Sequence, residues 1–310
     1  MYNKVFLSLC FASASCFFYA CDLQGDTSKN TTTSTSSEQQ QLPAEPAPPA
    51  PRIAPQPFTF TMQPTKPYLT SGDSSVNDAA KDILMAVNRV DASNLKRLDS
   101  ILVPNNFSGN REYYLPFPME SAVLKDIEKI ILFSYSTQSF AAYAFGELVL
   151  SGPTSMGSKK NPTAVGLYFS NWKAEETIST FNDEWELKWN FNIENKEGIG
   201  FHQYELPGYP ASHSCLRLLE VDAKFMYNWT EQWELKGTDD IKAKGTPVIV
   251  FGVYPFSGKK PWHKLLGDPN ALNLTEADLS AVVTPFKAEI AAARDERNQY
   301  LAKQKPKATP

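Results

Sequence analysis

Residues 198–218, GIGFHQYELPGYPASHSCLRL, place three side chains that could take part in nucleophilic catalysis within one short segment of this 310-residue chain. They include His202 and His213, two of the three histidines, and Cys215, the one cysteine beyond residue 21. A thiol becomes a good nucleophile when a nearby imidazole takes its proton, and an imidazole on an adjacent strand can reach it. The segment therefore favours nucleophilic chemistry at Cys215 with a nearby imidazole as the base, and an inert buried cysteine is the alternative.

Strand patterns lie on both sides of this segment. Residues 130–133 and 139–150 predict strands, and the second run predicts a hairpin around the turn Phe145-Gly146-Glu147. Residues 245–251 predict a buried strand that closes the region. Between residues 184 and 191, apolar and polar residues alternate, which predicts a strand whose core face is formed by Trp185, Leu187, Trp189 and Phe191.

Helical patterns bound this β region. Residues 80–87 have the apolar spacing of a helix, and residues 95–104 predict a helical turn followed by an apolar strand. Order is expected to begin near Ser74. After the β region, Thr275 and Asp278 form a capping-box pattern, and a second helix follows with core positions at Phe286, Ile290, Ala293, Arg297 and Leu301.

The segment Ser212-His213-Ser214-Cys215-Leu216-Arg217 resembles the signature of the L,D-transpeptidase (YkuD) catalytic domain. That signature is an upstream His, then Ser/Thr-His-Gly-Cys, an apolar residue and Arg or Asn. The resemblance extends through residues 146–157 upstream, and through Asp222-Ala223 and residues 245–248 downstream. It implies a mainly β protein, with a YkuD-like β-sandwich or barrel at residues 129–256, an N-terminal α/β extension at 74–128 and C-terminal helices at 257–310.

The extension at residues 74–128 also resembles part of a LysM glycan-binding module. It is too short to hold both helices of such a module. A packing extension of the catalytic domain is therefore favoured, with glycan binding as the alternative.

The resemblance implies a role for each motif residue. Cys215 matches the nucleophile, His202 the proton donor and acceptor, and His213 a residue that orients the base or stabilises charge. The backbone N–H groups of Ser214 and Cys215 match oxyanion donors. Arg217 is expected to bind a substrate carboxylate or to position the loop, and the alternative is a structural salt bridge. The full set of expected substrate contacts is Arg217, Tyr204, Tyr209 and Ser212.

Two positions depart from the family pattern. Ser214 stands where the family has Gly, and a Cβ there is harmless unless the backbone needs a positive φ. Gln203 stands where a Gly commonly follows the first His, and the interval from His202 to Ser212 is short. Since both histidines and the cysteine are present, an active enzyme is favoured over a degenerate copy.

The implied reaction is acyl transfer by a cysteine enzyme on peptidoglycan stem peptides. Cys215 attacks a tetrapeptide stem, the terminal D-residue leaves, and an amine resolves the thioester into a 3→3 cross-link or an exchanged stem. Water in place of the amine makes the same site an L,D-carboxypeptidase. The motif is also compatible with a catalytically degenerate wall-binding lipoprotein and with a thiol hydrolase of all-L peptides.

The N-terminus predicts export. Residues 1–20 have one charge, at Lys4, and a long apolar run that is typical of a signal peptide. Cys21 follows a small residue and precedes polar ones, which resembles a relaxed bacterial lipobox; the alternative is an ordinary signal peptide. Residues 21–57 are rich in Thr, Ser, Gln and Pro and predict a disordered tether. We expect an exported, periplasmic protein that is lipid-anchored at Cys21, with the outer membrane favoured.

Composition excludes several classes of protein and of binding partner. A hydrophobic fraction of 42% excludes a fully disordered chain, and a net charge of −4 argues against nucleic acid as a partner. Once the signal is removed and Cys21 is lipidated, Cys215 has no disulfide partner within the chain. His263 has no ligand partners near it in the sequence, so neither a metal nor a cofactor is predicted, and the oligomeric state is left open.

Overall fold

The computed structural model describes residues 52–70, 77–179, 186–238 and 240–304. The predicted signal peptide, Cys21, most of the tether and Trp185 lie outside these ranges. Within them, no helix combines the length and the apolar character that crossing a membrane requires.

The N-terminal extension packs two strands with three short helices. In chain order its elements are β1 Phe60–Pro64, α1 Thr65–Thr70, α2 Asp78–Asn88, α3 Ala92–Leu95 and β2 Ser100–Pro104. β1 and β2 pair antiparallel. The side chains of Asn77 and Asp91 accept hydrogen bonds from backbone N–H groups at the starts of α2 and α3. The predicted helix over residues 80–87 and the helical turn before an apolar strand are confirmed.

The structured region begins earlier than the position near Ser74 that the sequence predicts. Phe58, Phe60 and Met62 occupy alternate positions, and they pack in the hydrophobic cluster that includes Ile131 and Phe133. Farther upstream, within the predicted tether, the guanidinium of Arg52 donates to the carbonyls of Leu148 and Val149. The prediction is wrong because the many prolines around residues 43–57 obscure a period-2 strand signal that follows them.

A nine-stranded mixed sheet forms the centre of the described structure. Its first strands are β3 Lys129–Ser134, β4 Ser139–Ala144, β5 Glu147–Ser155, β6 Gly166–Phe169, β7 Lys173–Ile178, β8 Glu186–Glu194, β9 Ile199–Gln203 and β10 Leu216–Leu218. The chain continues through α4 Glu220–Trp229 and the hairpin of β11 Glu234–Lys236 and β12 Asp240–Ala243, and it returns to the sheet as β13 Pro247–Phe251.

The strand order is β6-β13-β3-β4-β5-β10-β9-β8-β7. The pairs β13–β3 and β10–β9 are parallel, and the other neighbours are antiparallel. The predicted β4–β5 hairpin and the predicted buried strand β13 are confirmed. Together with the helices at both ends, this confirms the expected mainly β fold class.

Each face of the sheet supports a separate apolar cluster, because successive side chains of a strand point to opposite faces. Ile131 and Phe133 of β3 join the cluster that includes residues of β1, α2 and α4. Ile130 and Leu132 join the cluster that includes the C-terminal helices. Helices α2 and α4 thus pack on one face of the sheet, and helices α5 and α6 pack on the other.

The predicted apolar stripe on β8 is interrupted by a bulge. Trp189 has φ 54°, and the register to β9 shifts between Lys188 and Phe191. Leu187 and Phe191 are buried as predicted, but Trp189 is only half-buried and packs on Tyr227 of α4. The strict alternation is therefore wrong at this residue, since a bulge changes which face the following side chains occupy.

The C-terminal region contains a 3₁₀ helix Pro261–Leu266, α5 Glu276–Val283, a 3₁₀ turn Thr284–Phe286 and α6 Lys287–Gln304. The capping box of Thr275 and Asp278 is confirmed. Ile290 and Ala293 are buried as predicted, whereas Leu301 is 36% exposed. Arg297 pairs with carboxylates. The core-facing stripe of α6 thus turns from apolar to charged before Leu301, which corrects the prediction.

Candidate active site

The parallel pairing of β9 and β10 brings the two halves of the sequence motif together. Arg217 on β10 lies opposite His202 on β9, and Cys215 directly precedes β10. One cavity opens at this point. Its lining residues are Ser179, Leu187, His202, Tyr204, Ser212, His213, Cys215 and Arg217.

His202 is held as an uncharged imidazole. Its side chain is buried, and Nδ1 lies 2.8 Å from the carbonyl oxygen of Gln203. Because a carbonyl oxygen can only accept, Nδ1 carries the hydrogen and Nε2 remains the proton acceptor of the ring. Burial, assisted by the positive charge of Arg217, lowers the pKa of His202 to about 4. The ring is therefore uncharged at neutral pH.

Cys215 is a protonated thiol in the resting site. Its Sγ lies 3.7 Å from the carbonyl oxygen of Gly198. Burial raises the pKa of the thiol, while a backbone hydrogen bond from Gly200 and the charge of Arg217 act in the opposite direction. Because His202 and Cys215 line the same cavity and both are uncharged, the site is compatible with a base that removes the thiol proton during attack rather than with a preformed ion pair.

This protonation state predicts how Cys215 alkylation depends on pH. We expect the rate with iodoacetamide to rise about tenfold for each pH unit between pH 6 and 8, since only the thiolate reacts and the raised pKa keeps its fraction small. The rate is measured in a single-thiol chain, in which Cys10, Cys16 and Cys21 are changed to Ser. A rate that is constant over this range would instead indicate a stable thiolate–imidazolium pair.

Arg217 and Tyr204 form one wall of the cavity. The Arg217 guanidinium carbon lies 4.4 Å from the centre of the Tyr204 ring, and Nη1 donates to the carbonyl of Glu205 at 3.4 Å. Burial lowers the pKa of Arg217. Among the ion pairs of the described residues, none involves Arg217. Of the two interpretations of this residue, the geometry favours a cation that can receive a carboxylate in the cavity.

The loop before Cys215 is fixed to the end of β5. Ser212 donates its N–H to the carbonyl of Met156 at 3.0 Å, and its hydroxyl donates to the carbonyl of Cys215 at 2.6 Å. The carbonyl of Ser212 accepts from the N–H of Ser158 at 2.9 Å. His213 follows with an exposed side chain at the cavity. The hydrogen bonds of Ser212 thus organise the loop itself.

The N-terminal extension holds the loop between His202 and Cys215 from its other side. Asp91 accepts a hydrogen bond from the N–H of Leu206 at 2.8 Å and donates its own N–H to the carbonyl of Leu206 at 3.1 Å. Val90 forms a β-bridge with Pro207. The extension therefore contributes directly to the conformation of the active-site loop.

Ser214 has a left-handed backbone conformation. Its φ is 82°, where a residue with a Cβ is unfavourable by about 1–2 kcal/mol and glycine is not. Its hydroxyl donates to the carbonyl of His213, and its carbonyl accepts from the Thr163 hydroxyl at 2.8 Å. The departure from the family's glycine therefore imposes strain one residue before Cys215.

Removing this strain should stabilise the protein. We expect Ser214→Gly to raise the free energy of unfolding by about 1 kcal/mol, because relief of the Cβ clash outweighs the greater freedom of glycine in the unfolded chain. Urea unfolding of the two proteins measures the difference. Ser214→Ala keeps the Cβ and serves as the control with no expected gain. An equal gain in both variants would attribute the effect to the lost hydroxyl.

The structure places Tyr209 differently from the other predicted contacts. Its side chain is 52% exposed and it does not line the cavity, while its carbonyl accepts a hydrogen bond from the Ser155 hydroxyl at 2.8 Å. Conversely, the cavity includes Leu187 and Ser179, which sequence reasoning did not assign to the site. Leu187 was identifiable only as a core residue of β8, and Ser179 has no distinguishing sequence signal.

No metal-binding constellation accompanies the cavity in the described part of the chain. Groups of three or more His, Cys, Asp or Glu side chains with suitable spacing are absent there. His263 lies in the 3₁₀ helix Pro261–Leu266, away from the residues that line the cavity.

Comparison with known families identifies the segment around this cavity. Residues 128–250 match the family model described as the L,D-transpeptidase catalytic domain, YkuD. These residues form a YkuD domain. The match covers the sheet from β3 to β13 and includes both His202 and Cys215.

Solved structures similar to this chain include several L,D-transpeptidases. One from Mycobacterium tuberculosis H37Rv is 24% identical, with a TM-score of 0.33 and coverage of 41% of this chain and 58% of that one. One from Stackebrandtia nassauensis is 22% identical, with a TM-score of 0.34 and coverages of 42% and 58%. A third, in complex with imipenem, is 16% identical, with a TM-score of 0.33 and coverages of 40% and 59%. The chain thus spans just under three fifths of the length of these structures. No curated protein matches it.

Proposed function

We propose that the YkuD domain is a peptidoglycan L,D-transpeptidase that acts through a thioester on Cys215. The observation that carries this proposal is that Cys215 and the neutral base His202 line one cavity inside the segment that matches the family model. Arg217 at the same cavity provides a cation for a stem-peptide carboxylate. The substrate class and the roles of Cys215 and His202 come from the family resemblance, and their shared cavity supports these roles.

The first half of the reaction uses His202 twice. As the Cys215 sulfur attacks the carbonyl carbon of the L-centre, its proton passes to Nε2 of His202 and a C–S bond forms. The oxyanion that develops is stabilised by backbone N–H groups of the Ser214–Cys215 segment. Collapse breaks the C–N bond, and the proton on Nε2 goes to the leaving D-amino acid.

The second half decides the product. When the amine of another stem attacks the thioester, a C–N bond forms and His202 takes a proton from that amine; the C–S bond then breaks and His202 passes the proton to sulfur, which gives a 3→3 cross-link. A free D-amino acid in the same place exchanges the terminal residue. Water gives a shortened stem and makes the protein an L,D-carboxypeptidase. The strain at Ser214 favours one further candidate, a wall-binding protein with an inactive site.

The test is the intact mass of the single-thiol chain after incubation with tetrapeptide muropeptides. We expect an adduct that equals the stem without its terminal residue, together with cross-linked, exchanged or trimmed products that identify the acceptor. Imipenem serves as a second acyl donor, since a solved L,D-transpeptidase was crystallised with it. Cys215→Ala is the matched control and should give neither adduct. A folded chain that binds peptidoglycan but acquires no adduct would replace the proposal by the wall-binding function.

We also propose that the protein is exported and anchored to a bacterial membrane by a lipid on Cys21. The support is the apolar run of residues 1–20 that ends at a cysteine followed by a polar tether. Mass spectrometry of the mature protein should find an N-terminal residue 21 that carries a diacyl modification. Cys21→Ser should remove that modification and release the protein from the membrane fraction. A mature N-terminus at another residue would contradict the proposal.

A further inference from the structure

The hydroxyl of Thr163 connects the loop that precedes Cys215 to the residues that follow β5. The Thr163 side chain is 3% exposed. The oxygen accepts the N–H of Gly157 at 2.9 Å and donates to the carbonyl of Ser214 at 2.8 Å. One hydroxyl therefore acts as acceptor and donor at once, between the end of β5 and the residue before Cys215.

The hydroxyl itself is held in place by its surroundings. A Cβ at Gly157 would collide with the backbone of Asn161 and Thr163, so the chain folds back on itself too closely for any other residue there. The carbonyl of Gly157 accepts a hydrogen bond from the buried Tyr135 hydroxyl. Gly157 also forms a parallel bridge with Ser212. Thr163 is thus anchored to a tightly packed part of the loop.

The bond to Ser214 fixes the orientation of the peptide group that joins Ser214 to Cys215. In a trans peptide the carbonyl and the N–H point in opposite directions. With its carbonyl directed at Thr163, this group must direct the Cys215 N–H away from Thr163. Cys215 lines the cavity and Thr163 does not. The orientation therefore suits a donor to an oxyanion formed on the cavity side.

The strain at Ser214 makes this fixation necessary. A serine at φ 82° is unfavourable by about 1–2 kcal/mol relative to other backbone conformations, and rotation about its N–Cα bond to relieve this strain would turn the Ser214 carbonyl away from Thr163. A buried hydrogen bond is worth a similar amount, and losing it would leave the Ser214 carbonyl unsatisfied. The Thr163 bond thus offsets the tendency of this loop to leave the conformation that the nucleophile needs.

We propose that Thr163 is a positioning residue for acyl transfer, because its hydroxyl holds the Ser214–Cys215 peptide with the Cys215 N–H available to the oxyanion. The inference rests on the proposed function for the acyl-transfer step and adds a residue far from the motif in sequence. If this role is correct, loss of the Thr163 hydroxyl slows reactions of Cys215 that form an oxyanion and leaves the other reactions of the thiol largely unaffected.

The test compares two such reactions in the single-thiol chain. p-Nitrophenyl acetate acetylates Cys215: a C–S bond forms, an oxyanion develops, the ester C–O bond breaks, p-nitrophenolate leaves and the thiol proton passes to His202. Iodoacetamide alkylates the same sulfur by displacing iodide and forms no oxyanion. A change in loop position affects the first rate alone, whereas general damage to the site affects both.

Thr163→Val keeps the shape of the side chain and removes the hydroxyl. We expect it to slow acetylation about ten- to a hundred-fold, the range for a displaced oxyanion donor, and alkylation by less than about threefold. Thr163→Ser restores the hydroxyl and should remain within about threefold of the parent in both reactions. If the valine chain does not fold, Thr163→Ala provides the same comparison without a branched side chain.

Three results would overturn the proposal. They are equal slowing of both reactions, unchanged acetylation in the valine chain, and a parent chain that is acetylated no faster than a free cysteine at equal thiolate concentration. Because p-nitrophenyl acetate contains no stem peptide, a failure of the proposed function on muropeptides is distinguishable from a failure at Thr163.

Discussion

Replacing His202 by Gln is expected to slow acylation of Cys215 about 10²- to 10⁴-fold. The geometry gives the reason: Nδ1 is committed to the carbonyl of Gln203, so Nε2 is the atom that can accept the thiol proton. Because burial raises the pKa of Cys215, few thiolates exist without this base at neutral pH. Glutamine can still form hydrogen bonds but cannot take up a proton in this range.

The measurement is the rate of the Cys215 adduct with p-nitrophenyl acetate, followed by intact mass. Raising the pH should restore part of the lost rate in His202→Gln, since the thiolate then forms without assistance. His263→Gln is the matched control, because His263 lies in the 3₁₀ helix Pro261–Leu266 and is not among the residues that line the cavity. An equal loss in both variants, with no recovery at high pH, would contradict a general-base role specific to His202.

The second large expected effect is on the free energy of unfolding, and it concerns the buried ion pair between Arg111 and Asp222. Arg111, in the 3₁₀ helix Arg111–Tyr114, places Nη2 2.7 Å from Oδ1 of Asp222 on α4, and Nη1 3.0 Å from Asp82. Asp222 is 1% exposed, and its other carboxylate oxygen has no hydrogen-bond partner. We expect Arg111→Met to lower the free energy of unfolding by about 3–5 kcal/mol, because it leaves an uncompensated buried carboxylate.

The pH dependence of this loss gives an independent check. Burial raises the pKa of Asp222 to about 6, with Arg111 pulling it down. Without Arg111 the pKa should rise further, so the folded state binds the proton more tightly than the unfolded state does. The stability that protonation provides is present at low pH and is lost as the pH rises through the folded pKa.

Urea unfolding at pH 5 and pH 7 therefore measures the loss in two protonation states. Arg111→Met should be less destabilising at pH 5, and Arg111→Met with Asp222→Asn should recover most of the loss at pH 7. A loss that is the same at both pH values, and in the double variant, would indicate that the packing of Arg111 matters rather than its charge.

Sequence reasoning succeeded where the signal is local. The β4–β5 hairpin follows from the apolar runs on both sides of the turn at Gly146, and the helix α2 follows from apolar spacing alone. The capping box at Thr275 depends on two residues three positions apart. In each case the residues that determine the structure lie within a few positions of one another.

The missed features depend on contacts that are distant in the chain. Thr163 acts on Ser214 across 51 positions, and Arg111 meets Asp222 across 111. Neither contact leaves a periodic signal. The sequence predicts strain at Ser214 only conditionally, since a residue type alone does not reveal its φ. The bulge at Trp189 was hidden by regular alternation in the sequence, because bulges come from pairing with a partner strand.

The bonds between Asp91 and Leu206 have a consequence for protein engineering. They join the N-terminal extension to the loop between His202 and Cys215, and Arg111 of the same region pairs with a carboxylate inside the segment that matches the family. A fragment cut at the family boundary would retain Cys215 and His202 but lose both supports. Chimeras that exchange YkuD segments between proteins should therefore transfer residues 52–127 together with the segment that matches the family.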